Sequence, residues 1–212
     1  MKHTRLYLAR HGETEWNMVH RMQGFQDSAL TALGLQQAEW LRKAMHTVPL
    51  DAIYASPSPR ALRTAEIVRA ERSIQLKTTE VLMEMGFGVW EGCYSSEVES
   101  RYPEQWHNFW KEPGKFKVEG SETYAEVRTR ALHKLKEIME THEGQSVLIV
   151  THTVIIKHLM AYFEGRAMEQ LWDLPYIHPT SLCQIDIIDG VPEIVLHGDI
   201  SHYESSEVGP SV

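Results

Sequence analysis

Hydrophobic residues along this chain form two kinds of pattern: short continuous runs, and longer stretches in which apolar positions recur every three or four residues. The continuous runs predict strands at residues 4–10, 51–56, 76–79 and 146–151. The longer stretches predict helices at residues 31–47, 60–71, 121–142 and 153–163. Near the end of the chain an Asp-Gly turn predicts an antiparallel pair of strands, at residues 181–188 and 192–197.

This alternation of strands and helices is typical of an α/β fold. We expect a three-layer sandwich in which a mainly parallel sheet has helices on both faces. The run from Ser146 to Thr151 has only apolar residues between its ends, as expected for a central parallel strand that is buried on both faces. Thr31 and Ser121 are residue types that commonly cap helices, so they predict where two of the helices begin. The length suits a single domain over residues 1–212.

Residues 86–118 interrupt the alternation. This segment contains glycines, prolines and a set of aromatic residues: Phe87, Trp90, Trp106, Phe109, Trp110 and Phe116. One interpretation is a cap inserted over the carboxyl edge of the sheet, where it would shape a ligand pocket. The other is an aromatic satellite core beneath a long loop. The pattern alone does not decide between them, and our fold prediction includes the inserted cap.

Composition narrows the possible functions. The formal net charge of −8 disfavours a nucleic-acid-binding protein, although a few clustered arginines could make a positive pocket for an anionic substrate. Two cysteines, Cys93 and Cys183, do not make a disulfide framework and favour a reducing compartment. The first apolar run is too short for a signal peptide, and no run approaches the ~20 apolar residues that span a bilayer. We expect a cytoplasmic protein without nucleic-acid or membrane partners; a homodimer is left open.

Four segments bring charged or nucleophilic side chains to the ends of predicted strands and the turns that follow. The first strand runs directly into Arg-His-Gly, and the run from 146 to 151 is followed by a histidine. Another arginine begins the helix after the second strand, and a glutamate precedes a glycine-rich turn. Because the carboxyl ends of parallel strands share one edge of a sheet, these side chains should meet there. They are Arg10, His11, Arg60, Glu84 and His152.

These segments resemble the motifs of the histidine phosphatase superfamily, whose members have the phosphoglycerate-mutase-like fold. The matches follow the family's order over about residues 5–160: Leu6–Asn17 (LYLARHGETEWN), Arg21–Gly24, Leu30–Gly34, Ser56–Glu66, Glu84 before Trp90–Gly92, and Val150–His152. An isolated Arg-His-Gly would be weak support, whereas the ordered set is specific. One departure is Thr153, which stands where the family often has glycine.

The resemblance implies phosphoryl transfer. His11 would be the nucleophile and form a phosphohistidine, while Arg10 and Arg60 would grip the phosphoryl oxygens. His11 must be neutral to attack, and the neighbouring arginines should disfavour its cationic form. His152 would be a further donor to the phosphoryl group, and Glu84 would protonate the leaving oxygen and later take a proton from water. Since cationic side chains would neutralise the phosphoryl charge, we expect no metal and no other cofactor.

A second set of residues is expected to bind small phosphorylated metabolites. The set is Asn17, Gln23, Gly24, Thr153, Trp90, Trp106 and Phe109. Each assignment has a structural alternative: taken separately, either histidine could be a buried structural residue and Arg60 a solvated residue at a helix end. Glu84 is preferred to the nearby Glu80 and Glu91 because of the family spacing to the Trp-Glu-Gly that follows.

The superfamily includes mutases and phosphatases, and the residues after Glu84 favour a phosphatase. A cofactor-dependent phosphoglycerate mutase usually has Arg-His-Tyr-Gly there, whereas this chain has Met-Gly-Phe-Gly and lacks the basic residue that would hold a substrate carboxylate. We therefore expect a metal-independent phosphatase of small phosphomonoesters, most similar to the small broad-specificity bacterial phosphatases. The alternatives are a phosphoglycerate mutase, a narrower sugar-phosphate or α-ribazole phosphatase, and a non-catalytic phosphate-binding protein on the same scaffold.

Overall fold

The predicted alternation of strands and helices is confirmed in the computed structural model, which describes residues 2–204. The strands are β1 (His3–Arg10), β2 (Ala52–Ala55), β3 (Gln75–Thr78), β4 (Ser146–Thr151), β5 (Leu182–Ile188) and β6 (Val191–Asp199). The helices are α1 (Glu15–Met18), α2 (Ala32–Ala44), α3 (Pro59–Arg69), α4 (Ser95–Arg101), α5 (Pro103–Lys111), α6 (Tyr124–Thr141) and α7 (Thr153–Glu164). Short 3₁₀ turns lie between several of them.

The strands form one mixed sheet in the order β3-β2-β4-β1-β5-β6. The first four strands of this order are parallel to one another. Strand β5 runs antiparallel to β1, and β6 runs antiparallel to β5. The sheet is therefore mainly parallel, as predicted, and the carboxyl ends of β1, β2 and β4 lie at one edge.

Strand β4 shows why both faces of the sheet are covered. Its residues from Val147 to Val150 are all fully buried, and their side chains alternate between two hydrophobic clusters. Leu148 packs with residues of α2 and α3, whereas Ile149 packs with residues of α6 and α7. A strand buried on both faces needs this continuous apolar run, which accounts for the three-layer arrangement.

The start of α6 differs from the prediction. The cap is Thr123 rather than Ser121, because the Thr123 hydroxyl accepts from the N–H of Glu126 and the Glu126 carboxylate accepts from the N–H of Thr123. This reciprocal arrangement satisfies two backbone donors at once. Ser121 instead closes a turn, in which its hydroxyl donates to the carbonyl of Val118. The prediction of Ser121 as the cap was therefore wrong by two residues.

The segment predicted as a cap, residues 86–118, contains α4 and α5 and closes at its base. Phe87 pairs with Ser121 in an isolated bridge, and the N–H of Val89 donates to the carbonyl of Glu119 at 3.0 Å. Gly88 has φ +54°, and a Cβ there would collide with that same carbonyl oxygen. Glycine thus allows the two ends of the insert to lie side by side.

Both interpretations of the insert, a cap over a pocket and an aromatic satellite core, describe part of its aromatic residues. Trp90, Phe109 and Phe116 are buried and belong to the same hydrophobic cluster as α6 and α7. Trp106 and Trp110 are only partly buried. The segment is thus a satellite core on one side and a wall of a cavity on the other. No helix within residues 2–204 has the length and hydrophobicity needed to cross a membrane.

Candidate active site

The carboxyl ends of β1 and β4 bring two histidines together. Arg10 is in register with Thr151, and the N–H of His11 donates to the carbonyl of Thr151 at 3.0 Å. The rings of His11 and His152 consequently lie with their centroids 5.2 Å apart and their planes inclined by 61°. His152 is also the residue that precedes α7, so the first turn of that helix begins beside the pair.

The guanidinium of Arg60 is held by a loop that precedes α2. Its Nη1 donates to the carbonyl of Gln26 and to Asp27 Oδ1, both at 2.7 Å, and its Nη2 donates to the carbonyl of Gly24 at 2.9 Å. The side chain is 1% exposed, yet its Nε has no hydrogen-bond partner. The loop therefore fixes the fork of Arg60 while one buried donor stays available for an anion.

Arg10 is arranged in a similar way, held through one nitrogen of its guanidinium. Its Nη1 donates to the carbonyl of Ile177 at 2.8 Å, and its Nε is buried without a partner. Since arginine stays charged in proteins, the two guanidiniums keep a positive field in a region that is otherwise shielded from water.

Glu84 contacts the first turn of α7, within the electrostatic influence of both arginines. Its Oε1 accepts from the N–H of Met85 at 2.9 Å, and its Oε2 accepts from the N–H of Val154 at 3.4 Å. The side chain is buried, and burial is the largest influence on its pKa. It raises the pKa of Glu84 above the ordinary value, although Arg60 and Arg10 act in the opposite direction. The carboxyl group can thus keep its proton at a higher pH than an exposed glutamate would.

His11 has its proton on a defined nitrogen when it is neutral. Its Nδ1 lies 2.7 Å from the carbonyl oxygen of Gly12, a geometry in which Nδ1–H donates and Nε2 carries the lone pair. Burial, Arg60 and Arg10, in that order, hold the pKa of His11 well below its usual value. The ring is therefore neutral over a wide range of pH, and the nitrogen with the lone pair is the one suited to attack an electrophile.

A cavity of about 560 Å³ opens onto these groups. It is lined by most of the residues predicted from the sequence: Arg10, His11, Asn17, Gln23, Gly24, Arg60, Glu84, Trp106, Phe109 and Thr153. A neighbouring cavity of about 520 Å³ shares part of this lining, including Trp106 and Thr153. The predicted site residues thus converge from distant parts of the chain onto one pocket.

Two predicted residues lie off the cavity wall. His152 is fully buried beside His11, where its Nε2 lies 2.8 Å from the hydroxyl oxygen of Ser56 and its Nδ1 has no partner. Trp90, expected to bind substrate, is also fully buried, with its ring centroid 5.0 Å from that of Phe116. The prediction that Trp90 binds substrate is therefore corrected. Trp90 fills the core beneath the insert, whereas Trp106 lines the cavity.

Four further predicted residues on the cavity wall have defined contacts or backbone geometry: Asn17, Gln23, Gly24 and Thr153. Thr14 links two of them: its hydroxyl donates to Asn17 Oδ1 at 3.0 Å and accepts from Gln23 Nε2 at 2.8 Å. Gly24, at φ +55°, places its carbonyl towards Arg60. Thr153 begins α7 without a positive φ, so replacing the family's frequent glycine does not strain the backbone here.

Several residues at the site had no role in the sequence analysis. Asp27 pairs with Arg60, and the Thr64 hydroxyl accepts from the N–H of Gly12 at 3.1 Å. Ser56 and Thr64 lie within a segment that matched the family, so their positions were visible although their contacts were not. Trp172 and Tyr176 line the cavity from the irregular chain after α7, where no periodic pattern could have identified them.

Metal ligation is not apparent in the part of the chain that the structure describes. Among residues 2–204, no group of three or more His, Cys, Asp or Glu side chains is arranged to hold a metal ion. The arginine and carboxylate side chains that line the cavity are Arg10, Arg21, Arg60 and Glu84.

Several known proteins are similar to this chain in sequence or structure. The structure of YhfR from Bacillus stearothermophilus is 44% identical and covers 94% of this chain and 98% of its own, with a TM-score of 0.91. Phosphoserine phosphatase 1 of Hydrogenobacter thermophilus is 33% identical over 168 residues, 79% of this chain and 80% of that protein. Metal-independent phosphoserine phosphatase of Arabidopsis thaliana is 32% identical over 161 residues, 73% of this chain and 66% of that protein.

A family model matches nearly the whole described chain. It covers residues 6–200, from the first strand through the last, and its description is the histidine phosphatase superfamily, branch 1. The match therefore includes β1 with its Arg-His-Gly, the insert, and β4 with the second histidine. This chain belongs to the histidine phosphatase superfamily.

Proposed function

We propose that this protein hydrolyses a range of small phosphomonoesters in two steps, through a phosphohistidine at His11 and without a metal ion. The chain is a small-molecule phosphatase of its superfamily, and the two curated relatives described above are phosphoserine phosphatases. The roles of individual residues, the independence from metal and the breadth of substrates are the parts that we propose.

The arrangement around His11 carries the proposal. In the first step His11 Nε2 attacks phosphorus, forming the N–P bond while the bond between phosphorus and the leaving oxygen breaks. Arg10 and Arg60 have buried Nε donors without partners, which would bind the phosphoryl oxygens as charge develops on them. His152 Nδ1 is a further buried atom without a partner; it would donate when it carries the proton and Ser56 donates to Nε2.

Glu84 is suited to handle the proton of both steps. In its protonated form it would give that proton to the leaving oxygen, so that an alcohol departs. In the second step the resulting carboxylate would take a proton from the water that attacks the phosphohistidine, which releases phosphate and restores both groups. The raised pKa of Glu84 supports this role, because a larger fraction of the group is then protonated before the reaction.

The cavity favours phosphatase activity over mutase activity, and broad specificity over narrow. A mutase must keep a charged intermediate in place for a second phosphoryl transfer, whereas Trp106, Phe109, Trp110 and Trp172 offer mainly apolar surface. Apolar surface binds varied leaving groups with little directional selectivity. The free thiols of Cys93 and Cys183 suit action in a reducing cytoplasm.

A direct assay tests the proposed function. Purified protein should hydrolyse p-nitrophenyl phosphate and several alkyl phosphates at mildly acidic pH, with rates unchanged by EDTA. Adding 3-phosphoglycerate together with 2,3-bisphosphoglycerate should give phosphate release rather than interconversion of the phosphoglycerates. Activity that disappears with EDTA and returns with a divalent metal would contradict the metal-independent mechanism, and mutase turnover would contradict the choice of phosphatase.

A further inference from the structure

Arg130 lies on α6, outside the cavity, and contacts the segment of chain that carries Glu84. Its Nη1 donates to the carbonyl of Val81 at 2.7 Å and to that of Met83 at 2.8 Å. Its Nη2 donates to the carbonyl of Glu84 itself at 3.0 Å. One guanidinium therefore binds three carbonyl oxygens within four residues, through donors that arginine holds in a flat, rigid fork.

Glu122 completes the contact on the other side of Glu84. Its carboxylate accepts from Nε and Nη2 of Arg130, both at 2.8 Å, and its Oε2 also accepts from the N–H of Gly86 at 2.9 Å. The N–H of Glu122 in turn donates to the carbonyl of Gly86 at 2.9 Å. The ion pair thus contacts the backbone immediately before and after Glu84, with about four fifths of each of its side chains buried.

The segment needs such support because regular structure does not hold it. The element directly before Glu84 is the short 3₁₀ turn Glu80–Leu82. Glu84 itself lies in no strand or α-helix. The carboxyl group itself has one short contact, to the N–H of the adjacent Met85, and one long one at 3.4 Å. The carboxyl group is therefore positioned mainly by the backbone that carries it.

We propose that Arg130 and Glu122 act as a positioning pair for the general acid, fixing the backbone around Glu84 so that its carboxyl group faces the leaving oxygen. This inference rests on the proposed role of Glu84. Weakening the pair should impair proton donation more than phosphate binding, because Arg10 and Arg60 are held by other contacts, at Ile177 and at Gly24–Asp27.

Leaving-group dependence provides the test. For Arg130→Met, kcat/KM for an alkyl substrate such as β-glycerol phosphate should fall by about 10²-fold, the effect of misplacing a catalytic group by about 1 Å. The value of kcat/KM for p-nitrophenyl phosphate should fall by less than about threefold, since nitrophenolate departs without a proton and kcat/KM does not include hydrolysis of the phosphohistidine. Inhibition by vanadate should be unchanged. Arg130→Lys, which keeps the charge but loses the fork, should recover little, and Glu122→Gln should show a smaller contrast of the same kind.

Two controls separate this inference from the proposed function. Arg128→Met makes the same change of charge on the exposed side of α6 and should behave as wild type with both substrates. Glu84→Gln, measured in parallel, tests the general acid itself. Suppose that Glu84→Gln shows the contrast between alkyl and p-nitrophenyl phosphate and the Arg130 and Glu122 variants do not. The positioning role is then wrong, while the role of Glu84 as general acid is retained. If Glu84→Gln shows none, the acid role fails and the positioning role with it. Loss of folding in every Arg130 and Glu122 variant would assign the pair to stability alone and also overturn the proposal.

Discussion

The Nδ1 atom of His11 lies 2.7 Å from the carbonyl oxygen of Gly12, the next residue along the chain. This contact orients the ring and leaves Nε2 as the basic nitrogen of the neutral form. The same glycine donates its N–H to Thr64, on α3. A side chain at position 12 would collide with the carbonyl of Gly34, so the backbone that orients His11 requires glycine.

The first prediction concerns this histidine. His11→Ala should abolish turnover while the protein stays folded, because removal of the nucleophile closes the covalent route. Wild-type protein quenched during turnover of a ³²P-labelled substrate should retain label that is stable to base and labile to acid. His133→Ala, an exposed histidine on α6, is the matched control and should keep both turnover and labelling. Appreciable residual turnover in His11→Ala would contradict the nucleophilic role.

Arg60 is expected to bind the phosphoryl group. Arg60→Ala should lower kcat/KM by at least about 10²-fold and weaken inhibition by vanadate, since a charge-assisted donor aimed at developing charge is worth about 3 kcal/mol or more. The control is Arg63→Ala, because Arg63 lies on the same helix with its side chain 60% exposed. Circular dichroism checks that the variants are folded. Equal effects of the two substitutions on kcat/KM and on inhibition would contradict a specific role of Arg60 in binding the phosphoryl group.

The pH dependence of the rate should follow two shifted pKa values. In the proposed mechanism, reaction of an alkyl phosphate needs neutral His11 and protonated Glu84. Because the pKa of His11 is lowered, the acidic loss of kcat/KM should begin only well below the ordinary range of histidine. Because the pKa of Glu84 is raised, the protonated acid should persist above the ordinary range of glutamate, and the rate should fall as pH rises through that raised pKa.

Substitution of Glu84 should remove the second of these dependences. Glu84→Gln should have a low kcat/KM with alkyl phosphates and lack the alkaline decline assigned to this group. Its loss of kcat/KM with p-nitrophenyl phosphate should be small, because kcat/KM does not include hydrolysis of the phosphohistidine. Glu80→Gln, at an exposed position four residues earlier, should keep the wild-type profile with both substrates. A profile for Glu84→Gln that keeps the same alkaline decline would assign that decline to another group.

Substitution should affect two of the three tryptophans of the insert, Trp90 and Trp106, differently. Trp90→Ala should lower the free energy of unfolding by about 3–5 kcal/mol, as expected when a fully buried aromatic ring is removed. Trp106→Ala should cost less stability and should instead raise KM for aryl phosphates, because this ring lines the cavity. Urea unfolding and steady-state kinetics on both variants measure the contrast. A raised KM with an unchanged free energy of unfolding in Trp90→Ala would show instead that Trp90 binds substrate.

Much of the fold could be predicted because its elements have strong local patterns. The run from Ser146 to Thr151 is apolar throughout its interior and forms a strand with those bounds. The start of α6 was harder, since both Ser121 and Thr123 are good capping types. The choice depends on the reciprocal contact with Glu126, three residues into the helix. The Thr-x-x-Glu spacing of Thr123 and Glu126 is the signal for that contact in the sequence.

The site was predictable where side chains follow strands and less so elsewhere. The convergence of His11 and His152 follows from the parallel pairing of their strands. Trp90 was misplaced because burial within an aromatic cluster depends on how the insert folds back, and the composition of the insert does not specify it. The sequence placed Arg130 on a helix but gave no sign of its partners. All its contacts with the Glu84 segment are to backbone carbonyls, which every residue type has.

The position of β4 between β2 and β1 has a consequence for how the molecule is made. Strand β1 leads directly into His11, yet the parallel partner of this strand begins only at Ser146. A chain emerging from the ribosome therefore contains His11 long before the strand against which His11 is set. Pairing between such distant segments is slow to form, and catalytic capacity appears only when the last third of the chain has been synthesised and has entered the sheet.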